Sequence, residues 1–411
     1  MSLPDSVSFL VVNCNGRPHL AALLDSISRL NDLPERSEIW VVDNASTDGS
    51  REWLLAEWPD VRLIENSTNE GFARPNNVAA RMAGGEWLCL VNNDMVLHPD
   101  WLKELFEGKG AAACAGSTIL DWDGARIDFD GGAVAFTGQG LQPRWGEKNV
   151  CRKNVCRKTP FACGGAMLVR RESFLEAGGF DERYFAYFED VDLGWRLWLQ
   201  GHEVVQVPGA IAYHRHGATS RKAFAFQKKV LLERNALFTL VKNYEDENMY
   251  RILAASLLLA NKRFALNSGI DRTEFEFSLS SRPFAKPSVP WERIFEVLKK
   301  RGFTFLFRKA VLALAEKVVA RLGRLPYAEG GVLIDRAAYA QIVAMEEVLE
   351  NLPSLMEERA SIQEKRKRSD AEIFAIFGDP FHVLDASLEY RMAHEKLVRA
   401  WGIGEIFEVS R

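Results

Sequence analysis

Short apolar runs of strand length alternate with amphipathic stretches of helix length from Val7 to Phe106. Val7–Val12, Glu38–Val42, Val61–Glu65 and Trp87–Val91 read as strands. Pro18 suits the first turn of a helix reaching about Leu30. Further helical patterns run from Ser50 to Glu57, from Pro75 to Met82 and over Pro99–Phe106. Repeated βα units imply a mostly parallel sheet with right-handed crossovers. The Trp87–Val91 run stops abruptly at Asn92-Asn93-Asp94. A buried strand looks like this when it delivers polar groups to the rim of a sheet. In open α/β sheets, ligands bind beyond the carboxyl ends of the strands.

Between Ala111 and Phe161 the pattern turns irregular and Gly-rich, and a pentapeptide repeats at Asn149–Lys153 and Asn154–Lys158. A surface loop is expected there, mobile between Gly138 and Thr159 and placed to order over a bound ligand. Ala166–Arg170 reads as a strand, followed by a helix closed by Gly178-Gly179. Phe188–Leu193 opens a helix reaching Gln200, and short strands are expected at Glu203–Val207 and Ala210–Tyr213. Beyond Arg221 the periodicity is helical over Phe224–Val241, Met249–Phe264, Trp291–Arg324 and Ala337–Arg366. Pro283, Pro287 and Pro290 mark a linker. The 411 residues exceed one ordinary core. Two domains are expected: 1–235, the α/β unit, and 236–411, a helical region ending in an α unit of unassigned docking at Ser369–Arg411.

The net charge of −4 implies no whole-chain attraction to nucleic acid, and no nucleic-acid partner is expected. Six cysteines lack CxxC or Cys/His zinc spacing, which fits a reducing cytoplasm. Cys14, Cys89, Cys114 and Cys163 are expected as buried thiols. No basic leader precedes the first apolar run, so a signal peptide is not expected. The longest later apolar stretch, Ile252–Ala260, falls short of the ~20 residues that cross a bilayer. The basic, Phe-rich segment Lys299–Arg324 suits peripheral contact with an anionic membrane, packing on the α/β unit, or a second copy of the chain. Lys365–Arg368 reads as a solvated helix end.

Polar clusters stand at the predicted strand ends: Asn13–Gly16, Asp43-Asn44, Asn92–Asp94 and His214–His216. Glu189-Asp190 starts a helix, and Asn69, Gly71, Phe72 and Asn76 follow the third strand. Parallel strands place their carboxyl ends on one rim, so the first three clusters should face one cleft. Asp43 can accept from a base N–H or a ribose hydroxyl. Asp94 can ligate a hard cation, with a histidine completing the shell. Asp190, held ionised at a helix N-terminus, is a candidate general base. Each residue also has a plainer reading. Asp43 and Asp48 can cap a turn, Glu189 and Asp190 can be first-turn charges, and His214 and His216 can be ordinary strand histidines. Asp192 and Arg196 read as an i,i+4 pair, and Trp195 and Trp198 as core.

Taken in order, seven strings resemble the family two GT-A glycosyltransferases, in particular bacterial rhamnosyltransferase-like members. They are Val11–Asn15, Val41–Ser50, Asn69–Asn77, Leu90–Asp94, Cys163–Arg171, Phe188–Arg196 and Tyr213–Ser220. The resemblance implies a Rossmann-like, mostly parallel sheet flanked by helices, plus a C-terminal helical region. It implies inverting transfer of a sugar from a nucleoside diphosphate, UDP or dTDP, to a glycan or lipid-linked acceptor in surface polysaccharide assembly. Asp190 is then the base. Asp94 and His214 hold Mg²⁺ or Mn²⁺, with His216 a rival to His214. Asn13, Asn15, Asp43, Asn69, Gly71, Phe72, Asn76, Asn92, Asn93, Gly165 and Glu189 line the donor site. The family's DxD-type motif reads Asn-Asn-Asp here, so its first acid is missing. A metal-dependent nucleotidyltransferase and a silent nucleotide-binding scaffold are the rival functions. The first would usually carry a Gly-rich basic phosphate loop after the first strand, where this chain has only Gly16-Arg17.

Overall fold

The computed structural model describes residues 6–149, 155–215, 225–268 and 335–408. Strands β1 (Ser6–Asn13), β2 (Arg36–Asn44), β3 (Arg62–Asn66) and β4 (Trp87–Val91) are parallel, in the order β3-β2-β1-β4. Helices α1 (Arg17–Ser28), α2 (Ser50–Glu57) and α3 (Ala73–Met82) connect them. The chain continues through β5 (Met95–Leu97), α4 (Trp101–Gly108) and β6 (Cys114–Asp121). Next come four short strands: β7 (Ile127–Phe129), β8 (Ala133–Val134), β9 (Gly140–Leu141) and β10 (Arg157–Lys158). Then follow β11 (Ala166–Arg170), α5 (Arg171–Glu176), α6 (Glu189–Leu199) and β12 (Val204–His214).

β1, β2, β3, β4, β6 and β12 all point one way, and β11 runs against them between β4 and β6. The result is the expected mostly parallel sheet flanked by helices. All five residues of β4 are buried, as a strand covered on both faces requires. Register places the polar ends together. Asn13 pairs with Asp43, and His214 pairs with Met95, the residue after Asp94.

Two expectations change. The stretch expected as a surface loop contains β6, an eight-residue strand with only its last residue not buried. Its Cys-Ala-Gly-Ser start hides the pattern. A Cβ at Gly116 would stand 3.0 Å from that of Ala162, so the strand uses small residues to let its neighbour approach. Part of the pentapeptide repeat lies outside the described residues. The two short strands expected after Gly201 form one long β12, with a register shift between Val207 and Ile211 around Pro208-Gly209.

The helices α7 (Ala225–Asn243), α8 (Asp246–Asn267), α9 (Arg336–Glu364), α10 (Asp370–Phe374), α11 (Leu388–Ala400) and α12 (Ile403–Glu408) complete the described residues. Met1–Asn267 and Arg336–Arg411 form one compact unit; Ser268–Asp335 form a second, nearly all of it outside the described residues. The helix expected over Trp291–Arg324 lies outside the described residues. The terminal α unit docks on the sheet's own loop. Val134 and Phe136 donate backbone N–H groups to Phe377 and Pro380 at 2.8 Å. Phe377 meets Trp195 edge-on at 4.7 Å, and Phe374 stacks on Phe407 at 4.2 Å.

Lys365 and Lys367 are exposed, as expected of a solvated helix end, while Arg366 and Arg368 are partly buried. Lys367 N–H donates to Leu199 at 2.7 Å, and Arg368 donates to Gly201 at 2.9 Å and lies 4.9 Å over Trp198. The Lys367 backbone N–H and the Arg368 guanidinium thus cap carbonyls at and just past the C-terminus of α6, where the helix dipole is negative. No helix among the described residues is long and apolar enough to cross a membrane.

Candidate active site

The rim beyond β1, β2 and β4 is a network of amides around one carboxylate. Asn13 Nδ2 donates to Asp43 Oδ1 at 3.0 Å, and Asn93 Nδ2 donates to Asn13 Oδ1 at 2.8 Å. Ser46 N–H and Arg51 Nε donate to Asp43 Oδ2 at 2.9 and 2.5 Å. Burial pushes the Asp43 carboxyl up, but Ser46, Arg51 and Asn13 outweigh it and leave it below the usual range. Asn15 adopts φ 54° and receives the Thr47 N–H at 2.7 Å, which folds the two loops onto each other. Gly16 is needed for this approach, since a Cβ there would sit 2.1 Å from Asn93 Nδ2. Cys14 is exposed, not buried as expected, because β1 has already ended.

The loop after β3 closes one side. Asn69 Oδ1 accepts from Gly71 N–H at 2.9 Å, and Asn44 Nδ2 donates to Gly71 O at 2.7 Å. Gly71 has φ 81°, and a Cβ would strike Phe185 O at 2.4 Å. Phe72 packs on Phe180 at 5.7 Å, and Asn76 is buried with its amide on Phe72 O at 2.9 Å.

Asp94 follows β4 and is 8% exposed. Its Oδ2 lies 3.3 Å from His214 Nε2, although 120 residues separate them. His214 Nδ1 lies 2.6 Å from Asp128 Oδ2 on β7. This carboxylate fixes the ring so that Nε2 faces Asp94, as carboxylates do behind metal-binding imidazoles. His214 Nε2 and Asp94 Oδ2 are suitable donors for a hard or borderline divalent ion. Among the described residues no group of three or more such side chains surrounds one point, so a cation here would draw its other ligands from substrate and water. Burial lowers the imidazole, and Asp128 and Asp94 more than offset it, lifting it to about 9. His216 lies outside the described residues. Asp128 went unread in the sequence because it falls in the stretch taken for a loop; the alternation Ile127-Asp128-Phe129 was its signal.

Glu189-Asp190 opens α6 on the other side of β11. Gly164 N–H donates to Asp190 Oδ2 at 3.0 Å, and Val191 N–H to Oδ1 at 2.8 Å. Next to it, Gly165 O accepts from Asn92 N–H at 2.9 Å, so one short segment connects Asp190 to the Asn92–Asp94 corner. The sequence suggested that the helix dipole keeps Asp190 ionised. Burial outweighs the backbone hydrogen bonds and pushes its carboxyl up, which strengthens it as a base.

Before this pair the backbone is strained: Phe185, Tyr187 and Phe188 have φ 63°, 70° and 66°. Asn235 on α7, fully buried, holds that segment by donating Nδ2 to Tyr184, Ala186 and Tyr187 carbonyls at 3.1, 2.9 and 2.7 Å. Arg234 adds a bond to Arg183 O at 2.7 Å. Asn235 is the second residue with a positioning role that the strand-end pattern does not reveal.

Glu189 is 6% exposed, and its Oε2 has no hydrogen-bond partner among the described residues. Burial and then Asp190 hold its carboxyl well above the usual range. The folded chain therefore binds this proton more tightly than the unfolded chain does. The stability it contributes is complete below the unfolded value, about 4.3, and is lost as pH rises above it. Glu189→Gln is expected to raise the melting temperature at about pH 8 and leave it nearly unchanged at about pH 4. An equal shift at both would take ionisation out of the explanation.

Comparison with known proteins now bears on this rim. The model of glycosyl transferase family 2 matches residues 8–178, and that of the N-terminal domain of galactosyltransferase matches residues 152–218. An N-acetylglucosaminyl-diphospho-decaprenol L-rhamnosyltransferase of Mycobacterium tuberculosis is 30% identical over 246 residues, 53% of this chain and 79% of its own. The chain belongs to glycosyl transferase family 2. The O-antigen biosynthesis protein RfbC of Myxococcus xanthus is 33% identical over 233 residues, 53% of this chain but 18% of its own. A mannosyltransferase from Pyrobaculum calidifontis, solved with GDP-Man and Mn²⁺, aligns at TM-score 0.46 and 18% identity, over 84% of this chain and 87% of its own. The expected activity, inverting sugar transfer in polysaccharide or glycan assembly, stands for this glycosyltransferase.

Proposed function

We propose that this glycosyltransferase takes a UDP- or dTDP-sugar and passes the sugar to a glycan or lipid-linked acceptor hydroxyl. The observation that supports this most directly is the Asp94–His214 pair, 3.3 Å apart and oriented by Asp128. In this reading Asp94 and His214 hold Mg²⁺ or Mn²⁺, which when bound neutralises charge on the departing diphosphate. Asn13, Asn15, Asp43, Asn69 and Asn93 form the nucleotide floor. Asp43 does so mainly by ordering the two loops, because three donors already occupy it. Gly71, Phe72, Asn76, Asn92, Gly165 and Glu189 shape the sugar side. Asp190 accepts the proton of the acceptor hydroxyl as that oxygen bonds to the anomeric carbon and the bond to the diphosphate breaks. Attack opposite the leaving group inverts the configuration.

Residues 1–235 supply donor site and base in this reading, and residues 236–411 meet acceptor, membrane or a second copy. A lipid-linked acceptor fits peripheral contact at the inner face of the membrane through Lys299–Arg324.

Thermal melting tests the donor half. UDP or dTDP with Mn²⁺ should raise the melting temperature above the value with nucleotide alone, since a ligand at 100 times its Kd adds about 2.7 kcal/mol. Asp94→Asn should abolish the Mn²⁺ increment and keep the smaller nucleotide shift. No response to any nucleoside diphosphate would remove the proposal.

A further inference from the structure

Two tryptophans stand in water next to the proposed metal pair. Trp122 is 45% exposed and Trp145 is 66% exposed. Both belong to the excursion between β6 and β10 that the sequence presented as a plain loop. Aromatic rings carry much apolar area, and at a functional rim an exposed ring face is available to a ligand. Their wiring is specific. Trp145 Nε1 donates to Asp128 Oδ1 at 3.2 Å, and Asp128 holds His214 through its other oxygen. Arg215 donates its backbone N–H to Asp94 O at 3.0 Å and lays its guanidinium 5.0 Å from the centre of the Trp122 ring. Each ring is thus one side chain away from the Asp94–His214 pair, by an independent route.

The side of the sheet decides the ligand. The amide network proposed to hold the nucleotide lies over β2, β1 and β4. Trp122 follows the end of β6, where Asp121 pairs with His214 of β12, and Trp145 bonds Asp128 on β7, which pairs with β6. β6 and β12 stand on the opposite side of β4 from β1 and β2. A pyranose ring has a face of C–H groups that lies well on an aromatic face, while its hydroxyls stay in water. The tied N–H of Trp145 fixes the plane of its ring before any ligand arrives, which lowers the ordering entropy of binding.

We infer that Trp122 and Trp145 form a stacking platform for the sugar ring of the acceptor, on the far side of the metal pair from the nucleotide. This deepens the proposed function and rests on it for the word acceptor; the carbohydrate site itself stands on the two rings. Trp145→Phe keeps a ring but removes the bond to Asp128 Oδ1, and Trp145→Ala removes the ring as well.

The test uses the full chain and saturation-transfer NMR with methyl β-glycosides of glucose, galactose, N-acetylglucosamine and rhamnose as probes. At least one glycoside is expected to receive saturation, and Trp122→Ala and Trp145→Ala are each expected to weaken it about 2- to 12-fold. The double variant should lose it, and Trp145→Phe should fall between wild type and Trp145→Ala. Melting shifts with UDP and Mn²⁺ should match the wild type in Trp122→Ala, since the Trp122 ring meets the Arg215 side chain and it is Trp145 that bonds Asp128. Saturation that is undiminished in the double variant overturns the platform, as does a wild-type chain that saturates none of the probes. A chain that binds glycosides through these rings but no nucleotide would sink the donor reading and leave the platform standing.

Discussion

Asp190→Asn should lower the rate of sugar transfer by about 10²–10⁴-fold and leave nucleotide affinity nearly unchanged, if Asp190 is the base proposed above. The amide retains an oxygen for the Gly164 or Val191 N–H groups that now bind the carboxylate, so the turn into α6 keeps its form. It has no basicity with which to take the acceptor's proton. The loss should therefore appear in kcat at saturating donor, while melting shifts with nucleotide and Mn²⁺ match the wild type. The acid limb of the wild-type rate profile should lie above the ordinary carboxylate range, because burial raises this group. A variant with wild-type kcat would exclude Asp190 as the base. A variant with weakened nucleotide binding would place it in the donor site instead.

Lys242→Met should lower the unfolding free energy by about 3–5 kcal/mol, the usual result of removing one partner from a buried ionic cluster. Lys242 is fully buried, with Nζ 2.7 Å from Asp181 and 3.0 Å from Asp192. It also reaches Glu358 on α9 at 3.4 Å. Arg183 and Arg196 partner the same two aspartates, at 2.7 and 2.8 Å. Methionine fills much of the volume, so the loss reports uncompensated charge and not a cavity. Burial raises both aspartates, and Lys242 with the arginines overcomes it and holds them below their usual values. Depressed acids stabilise above their unfolded values, and this is lost as pH falls through the folded ones. The gap between variant and wild type should thus be wide at neutral pH and close in acid. Urea midpoints at both conditions measure it. A neutral-pH gap under about 1 kcal/mol would mean that the arginines alone neutralise the cluster.

The βα half was legible because parallel strands buried on both faces are written as unbroken apolar runs. Trp87–Val91 matched its strand residue for residue. The carboxyl-end rule then gathered Asn13, Asp43 and Asn93 before any coordinates, and they form one hydrogen-bonded net. The i,i+4 reading of Asp192 and Arg196 also held, at 2.8 Å, and Trp195 and Trp198 are core. β6 was not legible, since its small residues show no period. Asp128 was hidden with it, because its part depends on a histidine far along the chain. The strained turn before Asp190 could not be read either. Phe185, Tyr187 and Phe188 are unusual residues for positive φ, and only the later helix explains how they stay there.

That last dependence has a consequence for engineering. The amide of Asn235 fastens the turn from behind, and the ammonium of Lys242, two helical turns later, anchors the acids on either side of the turn. A chimera that grafts this sheet onto a foreign tail would bring the proposed donor contacts and still present the proposed base, Asp190, at the wrong angle. The part that must travel together is the catalytic sheet with residues 234–243.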